Sequence, residues 1–415
     1  MRLLLVLACL STPALAENWP SWRGPAASGV SSETGLPLTW SRTENVAWRV
    51  PLSDPGNSTP IVWGGRIFVT MAVKAGDRRT LTCFDRASGK LLWQSGVSYT
   101  DADPTHATNP HASASPVTDG ERVYVWFGSA GLIAYDFSGK EVWRRDLGKQ
   151  RHTWGYGTSP VLYGNRLFLN FGPGDRAFLI AVDKDTGRTL WQNDFPAGQG
   201  QKFANWNAED MFGSWATPLM IRHQGKDELL LPLPRKLVSF DPETGKENWS
   251  AEGLGDLVYP SAVYADGAVV AISGFGGPTL AVKAGGERLW HLPKSRQQIG
   301  TGVVRNGLLF TIDNGGIAQC ADLKTGAVVW TERLRGKGET NNLWSSPVLA
   351  GDRIYVMNQG GDTFVFRAEP KFELLAANAL EERSNSSVVI SGGDIILRTH
   401  EALWRIAGKQ QGRKQ

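Results

Sequence analysis

The segment AVDKDTGRTLW, residues 181–191, recurs along the chain with small changes. The other copies are CFDRASGKLLW (83–93), AYDFSGKEVW (134–143), SFDPETGKENW (239–249), CADLKTGAVVW (320–330) and AVKAGGERLW (281–290), the last of which lacks the Asp. Because the phrase occurs six times, we interpret it as part of a structural repeat and not as an active site.

Three positions of the phrase predict a turn and a contact to the next unit. We expect the Asp to accept hydrogen bonds from turn amides and the Gly to adopt a positive φ. The Trp is expected to open an outer strand and to pack across onto the neighbouring unit. These repeat positions are Asp85, Gly89, Trp93, Asp136, Gly139, Trp143, Asp183, Gly187, Trp191, Asp241, Gly245, Trp249, Trp290, Asp322, Gly326, Trp330 and, near the N-terminus, Trp48.

A hairpin pattern precedes each copy of the phrase. Runs such as SSPVLAGDRIYVM (345–357) combine β-branched and aromatic residues with Gly, Asn or Asp at the turn, and SAVYADGAVVAI (261–272) is a looser version. This composition is typical of β-hairpins. With one strand leading into the Asp and one starting at the Trp, each unit is predicted to contain four strands.

The last unit is incomplete, and the N-terminal part of the chain supplies its missing strand. Residues 385–407 provide only three strands, whereas VAWRVPL (46–52) resembles the outer-strand sequences around Trp143 and Trp330. The sequence therefore predicts an all-β fold, an eight-bladed β-propeller of four-stranded antiparallel blades. The N-terminal strand closes the ring, which removes the open sheet edges of a linear array.

The ends of the chain differ from the repeat. MRLLLVLACLSTPALA (1–16) has the pattern of a signal peptide, with lipid attachment at Cys9 as the alternative. We predict an N-terminal extended segment over 17–44, the propeller over 45–407 and a flexible basic tail over 408–415. No later apolar run is long enough to span a bilayer, so a periplasmic or secreted protein is expected.

Charge and cysteine content restrict the partners. The formal net charge is +4, from 44 Lys plus Arg against 40 Asp plus Glu, which does not favour nucleic acid. Cys83 and Cys320 occupy the same register, two residues before the Asp position of their own copies. We therefore predict two buried thiols in separate blades without a disulfide. We also predict that the protein is a monomer.

The repeated phrase resembles the PQQ-like β-propeller repeat family, whose signature is Ala-x-Asp-x-x-Thr-Gly-x-x-x-Trp. The resemblance covers about residues 45–407 and implies either a BamB-like scaffold of the cell envelope or a quinoprotein dehydrogenase. The latter would bring PQQ and calcium. Because the chain has no Cys-Cys pair and no Cys-x-x-Cys-His sequence, we predict no catalytic residue and no cofactor, and keep PQQ with calcium as the alternative.

The loops that lead into the inner strands, here called the inner-strand loops, return toward the channel on one face. They are rich in aromatic, Asn and His residues, which suit recognition of a peptide, glycan or small ligand. The predicted binding face comprises His106, His111, His152, Trp154, Tyr156, Trp215, Trp344, Asn57, Asn342 and Asn385. Trp206, Glu209 and Asp210 lie in one of the same loops. Closure of the channel mouth is the alternative role of these side chains.

His106, His111 and His152 are the candidate ligands for a metal site, because imidazoles bind transition metals. Their spacing matches no metal motif, so no metal is predicted. The leading hypothesis is a non-enzymatic exported propeller that binds a protein or other ligand through one face. The alternatives are a PQQ-dependent oxidoreductase and a glycan-binding module.

Overall fold

The computed structural model describes residues 17–74, 77–101, 103–195 and 213–408. Over these ranges the chain forms eight sheets, seven with four strands and one with five. The predicted eight-bladed, all-β propeller is confirmed. The predicted signal peptide, the segment with Trp206, Glu209 and Asp210, and residues 409–415 lie outside the described residues.

The first four blades follow one another along the chain. Blade 1 contains β3 (Ile61–Trp63), β4 (Arg66–Val73), β5 (Arg78–Asp85) and β6 (Leu91–Ser98). Blade 2 contains β7 (Val117–Thr118), β8 (Arg122–Trp126), a 3-10 helix (Gly128–Ala130), β9 (Leu132–Asp136) and β10 (Glu141–Arg145). Blade 3 contains β11 (Val161–Tyr163), β12 (Arg166–Phe171), β13 (Phe178–Asp183) and β14 (Thr189–Asp194). Blade 4 contains β15 (Leu219–His223), β16 (Lys226–Leu233), β17 (Lys236–Phe240) and β18 (Glu247–Glu252).

The remaining blades include two strands from the N-terminal part. Blade 5 contains β19 (Val263–Ala265), β20 (Ala268–Ile272), β21 (Thr279–Lys283) and β22 (Arg288–Leu292). Blade 6 contains β23 (Val303–Arg305), β24 (Leu308–Ile312), β25 (Ile317–Asp322) and β26 (Val328–Arg333). Blade 7 contains β27 (Val348–Ala350), β28 (Arg353–Met357), β29 (Asp362–Arg367) and β30 (Leu374–Ala379), with β1 (Val30–Ser31) as a fifth strand. Blade 8 contains β31 (Val389–Ser391), β32 (Asp394–Arg398), β33 (Ala402–Ala407) and β2 (Val46–Pro51).

The predicted closing strand is confirmed. β2 pairs antiparallel with β33, with Val46 opposite Ile406 and Arg49 opposite Trp404. The last blade therefore combines a strand from each end of the propeller sequence. This pairing covers the outer edge that β33 would otherwise expose.

A continuous ring of hydrogen bonds joins the inner strands of all eight blades. The backbone N–H of one Ser or Thr per blade donates to the hydroxyl of the equivalent residue in the next blade, at 2.9–3.2 Å. The last bond runs from Ser387 N–H to Thr59 Oγ1 and closes the circle. The members of this hydroxyl ring are Thr59, Ser115, Ser159, Thr217, Ser261, Thr301, Ser346 and Ser387.

The outer-strand Trp residues join neighbouring blades at larger radius. The indole N–H of Trp143 donates to the carbonyl of Lys184 at 2.9 Å, and that of Trp191 donates to the carbonyl of Pro242 at 3.1 Å. Trp48, Trp93, Trp290 and Trp330 make the same kind of bond to the following blade. Trp249 is different, because its indole donates to the buried carboxylate of Glu228 at 2.7 Å.

The repeat Asp residues organise the turns that these rings contact. The carboxylate of Asp183 accepts the backbone N–H and the hydroxyl of Thr186, at 2.9 and 2.7 Å. The hydroxyl donor holds the pKa of Asp183 below its ordinary value. Asp85, Asp136 and Asp322 have lowered pKa values for the same reason, with Ser88, Ser138 and Thr325 as the donors.

The N-terminal segment contacts the inner strands of several blades. Trp19 exchanges two backbone hydrogen bonds with Val62 of blade 1, at 2.8 and 2.9 Å. Further along, the buried Arg23 donates to the carbonyls of Thr301 and Gly302 in blade 6, at 2.8 and 2.6 Å. Burial lowers the pKa of Arg23 to about 9. The segment therefore connects blade 1 to blade 6 through hydrogen bonds before the chain continues into β2.

The cysteine prediction is also confirmed. Cys83 lies on β5 of blade 1 and Cys320 on β25 of blade 6, and both are buried free thiols. Burial raises the pKa of each thiol to about 12. Among the described residues, no helix is long and apolar enough to cross a membrane.

Candidate functional site

The inner-strand loops and the hydroxyl ring surround a cavity of about 390 Å³ at the mouth of the channel, here called the cup. Its described aromatic lining is Trp22, Trp154, Trp215, Tyr259, Phe275 and Trp344. Its amide and hydroxyl lining is Asn57, Asn109, Gln297, Asn314, Asn385, Thr59, Thr108, Ser113, Ser115, Ser159, Thr217, Ser346 and Ser387. His106, Gly157 and Ile299 complete it.

One side of the cup is a continuous aromatic wall. Trp154 lies 6.3 Å from Trp215 and 6.2 Å from Tyr259 between ring centroids, and its ring is nearly parallel to that of Tyr259. Phe275 extends the wall at 5.3 Å from Trp154 and is 42% exposed. His106 lies 6.2 Å from Trp154 on the rim. Such a wall offers broad apolar area from side chains that hold one another in place.

A network of side-chain amides forms another side. The Asn57 amide N–H donates to the carbonyl of Thr108 at 2.9 Å, and its oxygen accepts from Asn385 at 3.3 Å. The oxygen of Asn385 accepts in turn from Gln359 at 2.7 Å. His400 Nε2 lies 3.2 Å from Asn57 Oδ1. These bonds link blades 8 and 1 and fix the amides at the cup.

Asn109 connects the loop that carries His106 to the loop that carries Trp154. Its amide N–H group donates to the carbonyls of Trp154 and Tyr156, at 2.6 and 3.0 Å. Its oxygen accepts from the hydroxyl of Ser113 at 2.5 Å. The position of the Trp154 ring is therefore set by a neighbouring blade as well as by its own loop.

The hydroxyl ring and Trp22 form the floor. Six of the eight ring residues line the cup: Thr59, Ser115, Ser159, Thr217, Ser346 and Ser387. Each of these hydroxyl oxygens accepts a backbone N–H, and among the described residues none of them donates its own hydrogen to an acceptor. The floor therefore carries O–H groups for which the described residues provide no acceptor.

The cup is uncharged over its described lining, which contains no Arg, Lys, Asp or Glu side chain. Arg23 is adjacent to Trp22 in the sequence but directs its guanidinium hydrogen bonds to backbone carbonyls. Burial raises the pKa of Tyr259, so that side chain stays neutral. The surface is thus built from neutral polar groups and aromatic rings.

Six of the ten residues predicted for the binding face line the cup: Asn57, His106, Trp154, Trp215, Trp344 and Asn385. The other four do not. Tyr156 is buried in the core and lies 4.8 Å from the Trp126 ring. His152 is buried beneath Trp215, with ring centroids 4.7 Å apart. His111 is half-buried, its carbonyl accepting the Tyr156 hydroxyl, and Asn342 is exposed outside the cavity.

The histidines do not assemble into a metal centre within the described residues, where no group of three or more His, Cys, Asp or Glu side chains could hold a metal ion. Burial lowers the pKa of both His111 and His152 to about 4. Both imidazoles are therefore neutral at pH 7. His106 remains on the rim with its Nδ1 2.7 Å from the Thr108 hydroxyl.

Sequence reasoning missed Trp22, Phe275 and the hydroxyl ring. The ring had a visible signal, since a Ser or Thr stands at the same position of every hairpin pattern, as in Thr59-Pro60 and Ser346-Pro347. Trp22 and Phe275 had none, because they lie outside the inner-strand loops. Phe275 follows β20 within blade 5, and Trp22 belongs to the non-repetitive N-terminal segment.

The fold and the cup define a closed propeller with one recessed face, and comparison with known proteins agrees with this class. The sequence profile of the family described as "Outer membrane protein assembly factor BamB" matches residues 29–103 and 77–332. The chain belongs to that family. Comparison with the sequences of curated proteins finds no match.

Solved structures show the same fold. BamB from Moraxella catarrhalis is 13% identical with a TM-score of 0.61, over 89% of this chain and 98% of that one. Quinohemoprotein alcohol dehydrogenase from Comamonas testosteroni is 12% identical with a TM-score of 0.69, over 96% and 82%. The enzyme ADHIIG from Pseudomonas putida HK5 is 12% identical with a TM-score of 0.67, over 96% and 81%. Because an outer membrane protein assembly factor and alcohol dehydrogenases both appear, these similarities concern fold and not activity.

Proposed function

We propose that this protein is a non-enzymatic binding propeller of the cell envelope, periplasmic or secreted, which captures a protein or other ligand in the cup. The observation that carries the proposal is the convergence of six aromatic side chains on one recessed, uncharged cavity. Aromatic clusters of this kind are typical centres of binding energy. The family membership supports a scaffold role of the BamB type.

The cup has walls that are suited to holding a partner and poorly suited to acid–base chemistry. Catalysis by proton transfer needs a titratable group poised near neutral pH. Within the described lining, His106 is the only histidine, and no carboxylate or lysine side chain accompanies it. The aromatic wall and the amide network instead present fixed surfaces for complementary packing.

PQQ with calcium is the cofactor that the fold family implies, and the described lining does not fit it. PQQ carries three carboxylates, which would call for guanidinium or ammonium partners. Calcium prefers several carboxylate oxygens. The described lining supplies neither cations nor carboxylates, so we derive no oxidation step for this chain.

Photo-crosslinking tests the proposal. A benzophenone amino acid is placed at His106, an exposed residue on the rim of the cup, and in a second variant at Leu92, which is 45% exposed on the outer strand β6. Each variant is irradiated with envelope extract, and adducts are identified by gel shift and mass spectrometry. We expect a specific adduct from position 106 and none from position 92.

Adducts from position 92 alone would place the binding surface on the outer strands and refute the proposal. The absence of any adduct at position 106, together with PQQ-dependent dye reduction by the purified protein, would favour the oxidoreductase alternative. If Trp344→Ala abolishes the adduct formed from position 106, the result supports the cup as the binding surface, because Trp344 lines the same cavity from another blade.

A further inference from the structure

We infer that the ligand of the cup is an uncharged oligosaccharide, one sugar ring of which packs on the aromatic wall while its hydroxyls meet the amides and the hydroxyl ring. This inference rests on the proposed binding function and specifies its ligand. It depends on three properties of the described lining: its aromatic faces, its density of neutral hydrogen-bonding groups and its lack of charge.

The aromatic wall matches the apolar faces of sugars. A pyranose ring exposes axial C–H groups on its faces and hydroxyls around its edge, so it packs flat on an aromatic ring while its edge remains polar. Trp154 and Trp215 are half-buried and Phe275 is 42% exposed, so part of each ring is open to the cup. The contacts between these rings fix their orientation before a ligand arrives, which reduces the entropy lost on binding.

The polar lining matches the edge of a sugar. Saccharide hydroxyls both donate and accept, and so do the side-chain amides and hydroxyls that line the cup. The hydroxyl ring offers donors from six blades. Gln297 is exposed, and the structure shows no bond from its side-chain amide to another described residue. A ligand rich in hydroxyls would satisfy groups that an apolar ligand would leave unpaired.

The same lining disfavours the other ligand classes. An apolar peptide side chain could contact the aromatic wall, but it would leave the many amides and hydroxyls of the described lining unpaired. An anionic ligand would be desolvated without a cation beside it. The volume of about 390 Å³ lies at the lower end of the usual range for ligand pockets, which suits the end of an oligosaccharide.

Titration calorimetry with defined probes tests the inference. The probes are neutral hexose and N-acetylhexosamine tetrasaccharides and, as matched anions, oligosaccharides of uronic acids. We expect at least one neutral probe to bind and the uronic acid probes to bind at least about tenfold more weakly. Trp154→Ala should weaken binding about 30-fold, the size of a typical aromatic hot spot. Gln297→Ala should weaken it several-fold and leave the melting temperature unchanged.

Leu92→Ala, on an outer strand, serves as the control and should bind like the wild type. If no neutral probe binds while crosslinking at His106 still captures a protein, the saccharide inference is refuted and the proposed binding function stands. Preferential binding of uronic acids would refute the inference as well. If neutral probes bind the wild type and Trp154→Ala with equal affinity, the cup is not the binding site, and both the saccharide inference and the proposed binding function are refuted.

Discussion

The contact between an outer-strand Trp and a turn Gly of the next blade can be tested at Gly245. This residue has φ +73°, and a Cβ atom built on it would lie 2.6 Å from Cε3 of Trp191. Ordinary carbon contacts are about 3.5–4.0 Å, so the ring would have to retreat by about 1 Å. Trp191 is held by its bond to the Pro242 carbonyl and by Phe168, whose ring centroid lies 5.7 Å away.

The same blade contains a matched control. Gly225, in the β15–β16 turn, has φ +80°, and a Cβ there would meet nothing within 4 Å. An Ala in the left-handed region costs about 1–2 kcal/mol, and this cost applies to both sites. Overpacking adds about 1–3 kcal/mol, but only at Gly245. We therefore expect Gly225→Ala to lower the free energy of unfolding by about 1–2 kcal/mol and Gly245→Ala by about 2–5 kcal/mol.

Urea unfolding followed by far-UV circular dichroism measures both variants. A double-mutant cycle with Trp191→Ala isolates the contact, because without the indole ring the Gly245→Ala substitution should have the same effect as Gly225→Ala. Equal losses for the two Gly variants in the wild-type background would refute the inferred blade contact. A Gly245→Ala effect that persists unchanged in the Trp191→Ala background would refute it too.

The fold supports three further predictions. Burial holds the pKa of His152 at about 4, so the unfolded chain takes up a proton before the folded chain does as the pH falls below about 6.5. The wild type should therefore lose about 2 kcal/mol more of its free energy of unfolding than His152→Gln between pH 7.5 and pH 5. Urea unfolding at the two pH values measures this difference. Thiol titration of a chain that lacks residues 1–16 should find two reactive groups after denaturation without reductant and none when folded, since Cys83 and Cys320 are buried; the absence of both groups after denaturation would indicate a disulfide. Deleting residues 17–52 removes β2 and the N-terminal segment that precedes it, and should lower the melting temperature by on the order of 10 °C or more. An unchanged melting temperature would contradict closure of the ring by β2.

The blade architecture was accessible from sequence because its signals are local and repeated. The Asp and Gly of each phrase belong to one turn, and the Trp contact is renewed in blade after blade. The match between residues 46–52 and other outer strands also revealed the closing strand. Each of these inferences needed only comparison of short segments, without knowledge of how distant blades meet.

The floor of the cup could not be predicted in this way. Arg23 bonds to carbonyls of residues 301 and 302, and a contact between such distant positions in a non-repetitive segment has no local signal. The Ser and Thr residues of the hydroxyl ring repeat in the sequence, but the hydrogen bonds between them form only when the eight blades close a circle. Tyr156 and His152, which were predicted for the binding face, are buried, because position in an inner-strand loop does not determine whether a side chain faces the cup or the core.

The most direct test of the central claim, that the cup is the binding surface, compares two Trp variants in parallel. Melting temperature and capture of the crosslinked partner are measured for Trp154→Ala, in the cup, and Trp191→Ala, between blades. We predict that Trp154→Ala loses capture while melting close to the wild type, and that Trp191→Ala melts at a clearly lower temperature. Normal capture by Trp154→Ala, or equal destabilisation of both variants, would show that the aromatic wall only closes the channel and would contradict the account.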